Sequence, residues 1–137
     1  MAGTYAISGG FDGFTSAQAS FAGTVSLAQA SRESPALTGN FNVTATIGGD
    51  VFLLTGSLQG ATVTTARVIS FASGDGSAVW SFSGTVSGTT VTGRHTLSDG
   101  TDSFSGNWSM QRTGNLAAMR PAKAPTGDLA ALVAALR

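Results

Sequence analysis

From residue 4 to residue 112, apolar and polar side chains alternate with few interruptions. The period is two, as in β-strands, where successive side chains point to opposite faces. The sharpest run is 37–47, where Leu37, Gly39, Phe41, Val43, Ala45 and Ile47 alternate with Thr38, Asn40, Asn42, Thr44 and Thr46. Residues 82–108 repeat one five-residue unit: Phe82-Ser83-Gly84-Thr85-Val86, Val91-Thr92-Gly93-Arg94-His95 and Phe104-Ser105-Gly106-Asn107-Trp108. Looser copies begin at Ile7, Phe21, Leu37 and Leu54. The first, third and fifth residues of a unit share a face, so each strand offers large, glycine, large to one side and small polar residues to the other.

The pattern predicts eight strands, at 4–11, 17–28, 36–47, 51–59, 61–71, 77–87, 89–97 and 102–112. The segments between them are short and carry turn residues, such as Gly48-Gly49-Asp50 and Ser98-Asp99-Gly100-Thr101. Short successive turns make an antiparallel meander. A sheet with one apolar face removes its edges by closing, so the expected fold is all-β: an eight-stranded antiparallel up-and-down β-barrel. The glycines in the apolar faces would let the strands coil around it. A two-sheet sandwich is the alternative, and only 28–35 is long enough for a crossover. In the fifth strand the simplest register turns Ala61, Val63, Thr65, Arg67, Ile69 and Phe71 inward; a shift by one residue would expose Arg67 and bury Val68. After the barrel (1–112) comes a linker (113–125) and then a short amphipathic helix (126–137). Thr126 is a suitable cap, and Leu129, Leu132, Val133 and Leu136 form one apolar stripe. So short a helix is marginal alone, and the stripe offers a docking face for its own barrel, a second copy or another protein.

Composition sharpens this. Charged residues are only 10% of the chain, with seven basic and seven acidic side chains in balance. No basic run is available to neutralise phosphates, which argues against nucleic acid as a partner. No apolar run approaches the roughly 20 residues of a membrane-spanning helix. With no Cys and one His, a zinc site is not expected, and no cofactor motif is present. The opening Met1-Ala2-Gly3-Thr4-Tyr5 lacks a secretory pattern, which together with the absence of Cys favours a cytoplasmic location.

Two polar residues break the apolar face. Arg67, if inward, is a cation at the base or mouth of a cavity, placed to meet a ligand carboxylate or a polarised oxygen; an unpaired buried guanidinium costs several kcal/mol. His95, the single His, occupies the fifth and otherwise apolar position of its unit. It is a candidate proton or hydrogen-bond donor in a pocket, or else a His satisfied by backbone, Asp99 or Asp102 near a barrel end. Arg67 and His95 are therefore the catalytic candidates, should the protein be an enzyme, which the sequence leaves open. Tyr5, Phe41, Trp80, Phe82, Phe104 and Trp108 fall on the inner set, as core or as the apolar wall of a ligand site that Arg67 and His95 complete.

The meander, opened by Gly3-Thr4-Tyr5 and closed by Arg112, resembles the calycin group of barrels, the lipocalins and avidins. There a Gly-x-Trp of the first strand packs near a basic residue of the last; here Tyr5 stands in place of the Trp. In size and architecture the chain also resembles allene-oxide-cyclase-like barrels. The barrel shape, with Arg67 and His95, sets the first functional expectation: a barrel that holds an apolar small molecule bearing an anionic or carbonyl group. The second resemblance implies a cyclase or isomerase that holds a reactive conformer of a hydrophobic natural-product intermediate. A third expectation, from the tail alone, is a structural or assembly protein that docks, as a homo-oligomer or on a partner, through Leu129, Leu132, Val133 and Leu136.

Overall fold

The alternating segments form one antiparallel sheet in a computed structural model, which describes residues 3–29, 31, 35–74, 78–114 and 129–136. Its strands are β1 (Gly3–Gly10), β2 (Ala19–Gln29), β3 (Leu37–Ile47), β4 (Asp50–Ser57), β5 (Gln59–Val63), β6 (Val68–Gly74), β7 (Val79–Ser87), β8 (Thr90–Ser98) and β9 (Ser103–Gly114), and they are followed by a helix, α1 (Leu129–Leu136). The spatial order is β4-β3-β2-β1-β9-β8-β7-β6-β5, an up-and-down meander in which β1 and β9 are the sequence-distant neighbours. The sheet curls into a half-barrel. Its two edge strands, β4 and β5, are separated in the chain by Leu58 alone. A short seam ties this stretch to the start of β3: the Leu58 N–H donates to the Gly39 carbonyl at 2.9 Å, the Val63 N–H donates to the Pro35 carbonyl at 2.8 Å, and Ala36 bridges Thr62.

Among the described residues there are nine strands where the pattern predicts eight, because the predicted fifth strand breaks at 64–67. Two successive inward positions there would be Thr65 and Arg67. Burying them costs several kcal/mol, whereas a turn with one left-handed residue costs about 1–3 kcal/mol, so the chain leaves the sheet. Arg67 takes that conformation, with φ 66°. The turn is closed by the Arg67 N–H on the Thr64 carbonyl at 3.0 Å, and the Thr64 hydroxyl oxygen accepts the Val68 N–H at 3.2 Å. Arg67 is exposed, which corrects its inward placement. The alternative register fails as well, since Val68 is exposed and Ile69 is buried.

The glycines do more than let the strands bend. In the observed register each inward glycine faces a large side chain across the ladder: Gly9 faces Phe21, Gly39 faces Leu27, Gly56 faces Phe41, Gly93 faces Trp108 and Gly106 faces His95. A Cβ at Gly9 would collide with the Phe21 ring, and one at Gly84 would lie 2.9 Å from Trp108 Cζ2. The five-residue unit thus supplies knobs and sockets that interlock across strands, and the concave side fills with side chains. β7 shows the result, with Trp80, Phe82, Gly84 and Val86 buried and every intervening residue exposed.

Helix α1 completes the core. Leu129, Leu132, Val133 and Leu136 are all buried in the cluster formed by the inward face of the sheet. α1 touches β3, β8 and β9; β3 and β8 stand four places apart in the sheet order, so only the concave side brings one helix against both. The apolar stripe therefore faces its own sheet rather than a free docking surface. Most of the predicted linker at 113–125, and the predicted cap Thr126, lie outside the described residues. No helix among the described residues is long and apolar enough to cross a membrane.

Candidate functional site

His95 lies at the centre of the inward face and is 1% exposed. Alternation along β8 turns it inward between Arg94 and Thr96, which face out. Both ring nitrogens are engaged. Nδ1 accepts the Trp80 indole N–H at 3.0 Å, and Nε2 lies 2.6 Å from the Gly10 carbonyl oxygen. A carbonyl only accepts and an indole N–H only donates, so the imidazole is neutral with its proton on Nε2. Burial pushes its pKa below the ordinary value; the Gly10 bond opposes this, Arg94 adds to the lowering and Asp12 opposes it weakly.

Four aromatic rings enclose the imidazole. Phe11 and Phe21 meet it edge-on, each at 5.0 Å between centroids, with Phe82 at 5.6 Å and Trp80 at 5.7 Å. The cluster continues through Phe41, 6.3 Å from Trp80, and through Trp108, 5.4 Å from Phe82. The Trp108 indole N–H is shared between the carbonyls of Arg94 at 2.9 Å and Ser83 at 3.2 Å, which ties β9 to β8 and β7. Of the candidates named from sequence, Phe41, Trp80, Phe82, His95 and Trp108 come together. Phe104 is half-buried at the start of β9, opposite Leu97. Phe11, Phe21 and Phe71 belong to the cluster as well. Their signal was present, since each sits on an inward set, but nothing in the sequence separates a ring beside His95 from any other core ring.

Tyr5 lies toward the other end of the strands, directly opposite Arg112 in the β1–β9 register. Burial raises its hydroxyl pKa, and the positive charges of Arg112 and then Arg67 counter the rise. Arg67 lies in the turn between β5 and β6, which stand five and four places from β1 in the sheet order, so it is the curl that brings it within electrostatic reach of Tyr5. Tyr5, Arg67 and Arg112 thus mark one rim, and Arg67 belongs to that rim rather than to the interior with His95.

On the outer face, Arg94 makes a two-pronged ion pair with Asp12 and donates to Asn107 Oδ1 at 2.9 Å. Side chains 82 positions apart make this contact, which no local pattern announces. Each holds the other charged: Arg94 lowers the Asp12 pKa, and Asp12 raises that of Arg94. Arg94 also borders two shallow outer concavities of about 670 and about 530 Å³, walled by Ser8, Thr92 and Asn107 and by Ser70, Ser81 and Thr96. Asp99 accepts the Thr101 and Asp102 amides in the β8–β9 turn and is not the partner of His95. Among the described residues no three His, Cys, Asp or Glu side chains converge as metal ligands. No family model, curated protein or solved structure matches the chain.

Proposed function

We propose that the protein is a small-molecule-binding half-barrel, and that an apolar ligand with an anionic or carbonyl oxygen takes the concave space that α1 holds. The observation that carries this reading is the seat of α1. A body about 12 Å long, at 1.5 Å per helical residue, presses four aliphatic side chains into the concave face without contributing a strand. Its hold is finely balanced. Burying four such side chains is worth ~6–12 kcal/mol, while ordering eight residues costs ~8–16 kcal/mol before helix hydrogen bonds are counted. A ligand with comparable apolar area can displace it. The ligand's oxygen would then meet the rim where Tyr5, Arg67 and Arg112 gather, while Trp80, Phe82 and Trp108 form the apolar wall below. The cyclase reading would use the same space; His95, with both nitrogens engaged, supports a structural role better than a catalytic one.

The test is titration of anilinonaphthalene sulfonate, an apolar anion, into the full-length protein and its Leu132→Asp variant. Saturable one-to-one binding is expected in both, tighter in the variant, with energy transfer from Trp80 and Trp108. Absence of saturable binding to a variant whose circular dichroism retains the sheet sinks the reading.

A further inference from the structure

Two consecutive residues of β8 hold one short segment of chain from opposite faces. Inside, His95 bonds the Gly10 carbonyl at 2.6 Å; outside, Arg94 pairs with the Asp12 carboxylate. Between these two grips the Asp12 N–H donates to the Ser105 carbonyl at 2.8 Å, and the Phe11 ring turns inward, edge-on to His95. Gly106 leaves the space for the inner grip, since a Cβ there would collide with the Gly10 carbonyl oxygen and lie 2.9 Å from His95 Nε2. Segment 10–12 thus closes this end of the curl, with Phe11 as the stopper over Phe21 and Trp80.

We propose that segment 10–12 is an acid-released clasp: a proton on His95 Nδ1 breaks the Trp80–His95–Gly10 chain, lifts Phe11 out of the core and opens the aromatic interior at this end. The device stands apart from whatever the concave face binds. The chemistry is a conflict of donors. Protonated Nδ1 presents N–H to the Trp80 N–H, so the charged ring cannot stay where the neutral ring sits. Arg94, on the same strand, makes the site still less hospitable to a second positive charge, and Asp12 offsets that only weakly. Among the described residues β2, β7 and α1 carry no titratable side chain, Tyr5 of β1 and Arg112 of β9 sit toward the other end of their strands, and Asp99 and Asp102 stand in the β8–β9 turn beyond His95. With segment 10–12 released, His95 meets water and titrates near its ordinary value of about 6.5, whereas in the clasped form burial holds it lower. Opening therefore gains one proton, and its population rises about tenfold for each pH unit below about 6.5 until the clasped pKa is reached. The outer grip follows in stronger acid, as Asp12 protonates.

Native-state hydrogen exchange by NMR tests this, with rates corrected for intrinsic pH dependence. Between pH 6.5 and pH 5.5 the Asp12 amide and the Trp80 indole N–H are expected to lose about fivefold in protection, while the Val25 amide in β2 keeps its own. His95→Gln keeps one donor and one acceptor but cannot titrate, and should make the Asp12 amide independent of pH. If that variant does not fold, Asp12→Asn serves: it removes the outer grip, and should raise opening at every pH while leaving the one-proton slope of the Trp80 indole unchanged. A slope of zero in the wild type overturns the clasp, and so does parallel loss of protection at Val25, which would report global acid unfolding instead.

Discussion

The socket role of the glycines is most sharply exposed by Gly106→Ala. The added methyl would overlap the Gly10 carbonyl oxygen and stand 2.8 Å from the Gly10 carbonyl carbon and 2.9 Å from His95 Nε2. Backbone on one side and a ring fixed by two hydrogen bonds on the other leave little room to give. Overpacking of this kind costs about 1–3 kcal/mol. Separating Nε2 from the Gly10 carbonyl leaves a buried donor and acceptor short of partners, at about 1–3 kcal/mol more. Replacing glycine by alanine inside a strand returns about 0.5–1 kcal/mol. The net loss is about 1–5.5 kcal/mol, which for a urea slope of about 2 kcal/mol/M lowers the unfolding midpoint by about 0.5–2.7 M. The control is Gly10→Ala: its Cβ would meet nothing nearer than the Ala19 carbonyl oxygen at 4.0 Å, so its midpoint should stay within about 0.3 M of wild type. Both are read by tryptophan fluorescence in urea. If Gly106→Ala falls within 1 kcal/mol of Gly10→Ala, the interlocking of glycine with its cross-strand neighbour is not what holds the core, and the socket argument fails.

Three further outcomes follow from the same geometry. Arg67→Gly relieves the left-handed φ of 66° and should raise stability by about 1 kcal/mol; a fall in thermal midpoint would show that the guanidinium is needed where it stands. Trp80→Phe keeps an aromatic side chain but removes the donor to His95 Nδ1, a loss that alone costs about 1–3 kcal/mol, and lets the imidazole pKa rise toward its ordinary value; an unchanged shift of the imidazole protons with pH would contradict the assigned tautomer. Because the folded His95 pKa is lowered, its contribution to stability is complete above about pH 6.5 and declines below it, by up to ~1.4 kcal/mol per pH unit. Asp12 adds its own loss only below about pH 4, where the unfolded carboxylate begins to protonate, so urea midpoints between pH 7 and pH 5 should fall in wild type and stay flat in His95→Gln.

Much of the fold is legible in the sequence because period-two alternation is a local signal that burial enforces strictly: a slip by one residue would send every large side chain of β3 or β7 to water. The meander order follows from the short turns between strands. What alternation cannot convey is where the chain declines to continue. Thr65 and Arg67 keep the spacing of a strand, and only the cost of burying them, set against a modest cost for a left-handed residue, converts that stretch into the 64–67 turn. The helix was legible as a stripe, but its partner was not. An apolar face states that it must be covered, and only the assembled curl, with β3 and β8 on facing walls, shows by what.

The candidate site divides in the same way. His95 was conspicuous because Val86 and Trp108 occupy the equivalent fifth position in neighbouring units, and the aromatic rings around it follow from the inward sets. Its partners were not legible. Gly10 contributes a backbone carbonyl, which no side-chain pattern encodes, and Trp80 is one inward ring among several. The departure of the second unit from its siblings is nevertheless double: where the others read Thr85-Val86 and Asn107-Trp108, it reads Arg94-His95. Alternation sends those two side chains to opposite faces, and both close on the same three residues, 10–12, more than 80 positions earlier. A repeat designed only to fill a core needs neither residue. An apolar side chain in place of His95 would pack among Phe11, Phe21 and Phe82 without having to satisfy two hydrogen-bonding nitrogens, and a Thr in place of Arg94 would match its outward neighbours. Together, one grip that weakens below about pH 6.5 and a second that weakens only below about pH 4 make the hold on Phe11 graded in acid, a property that neither residue alone could give.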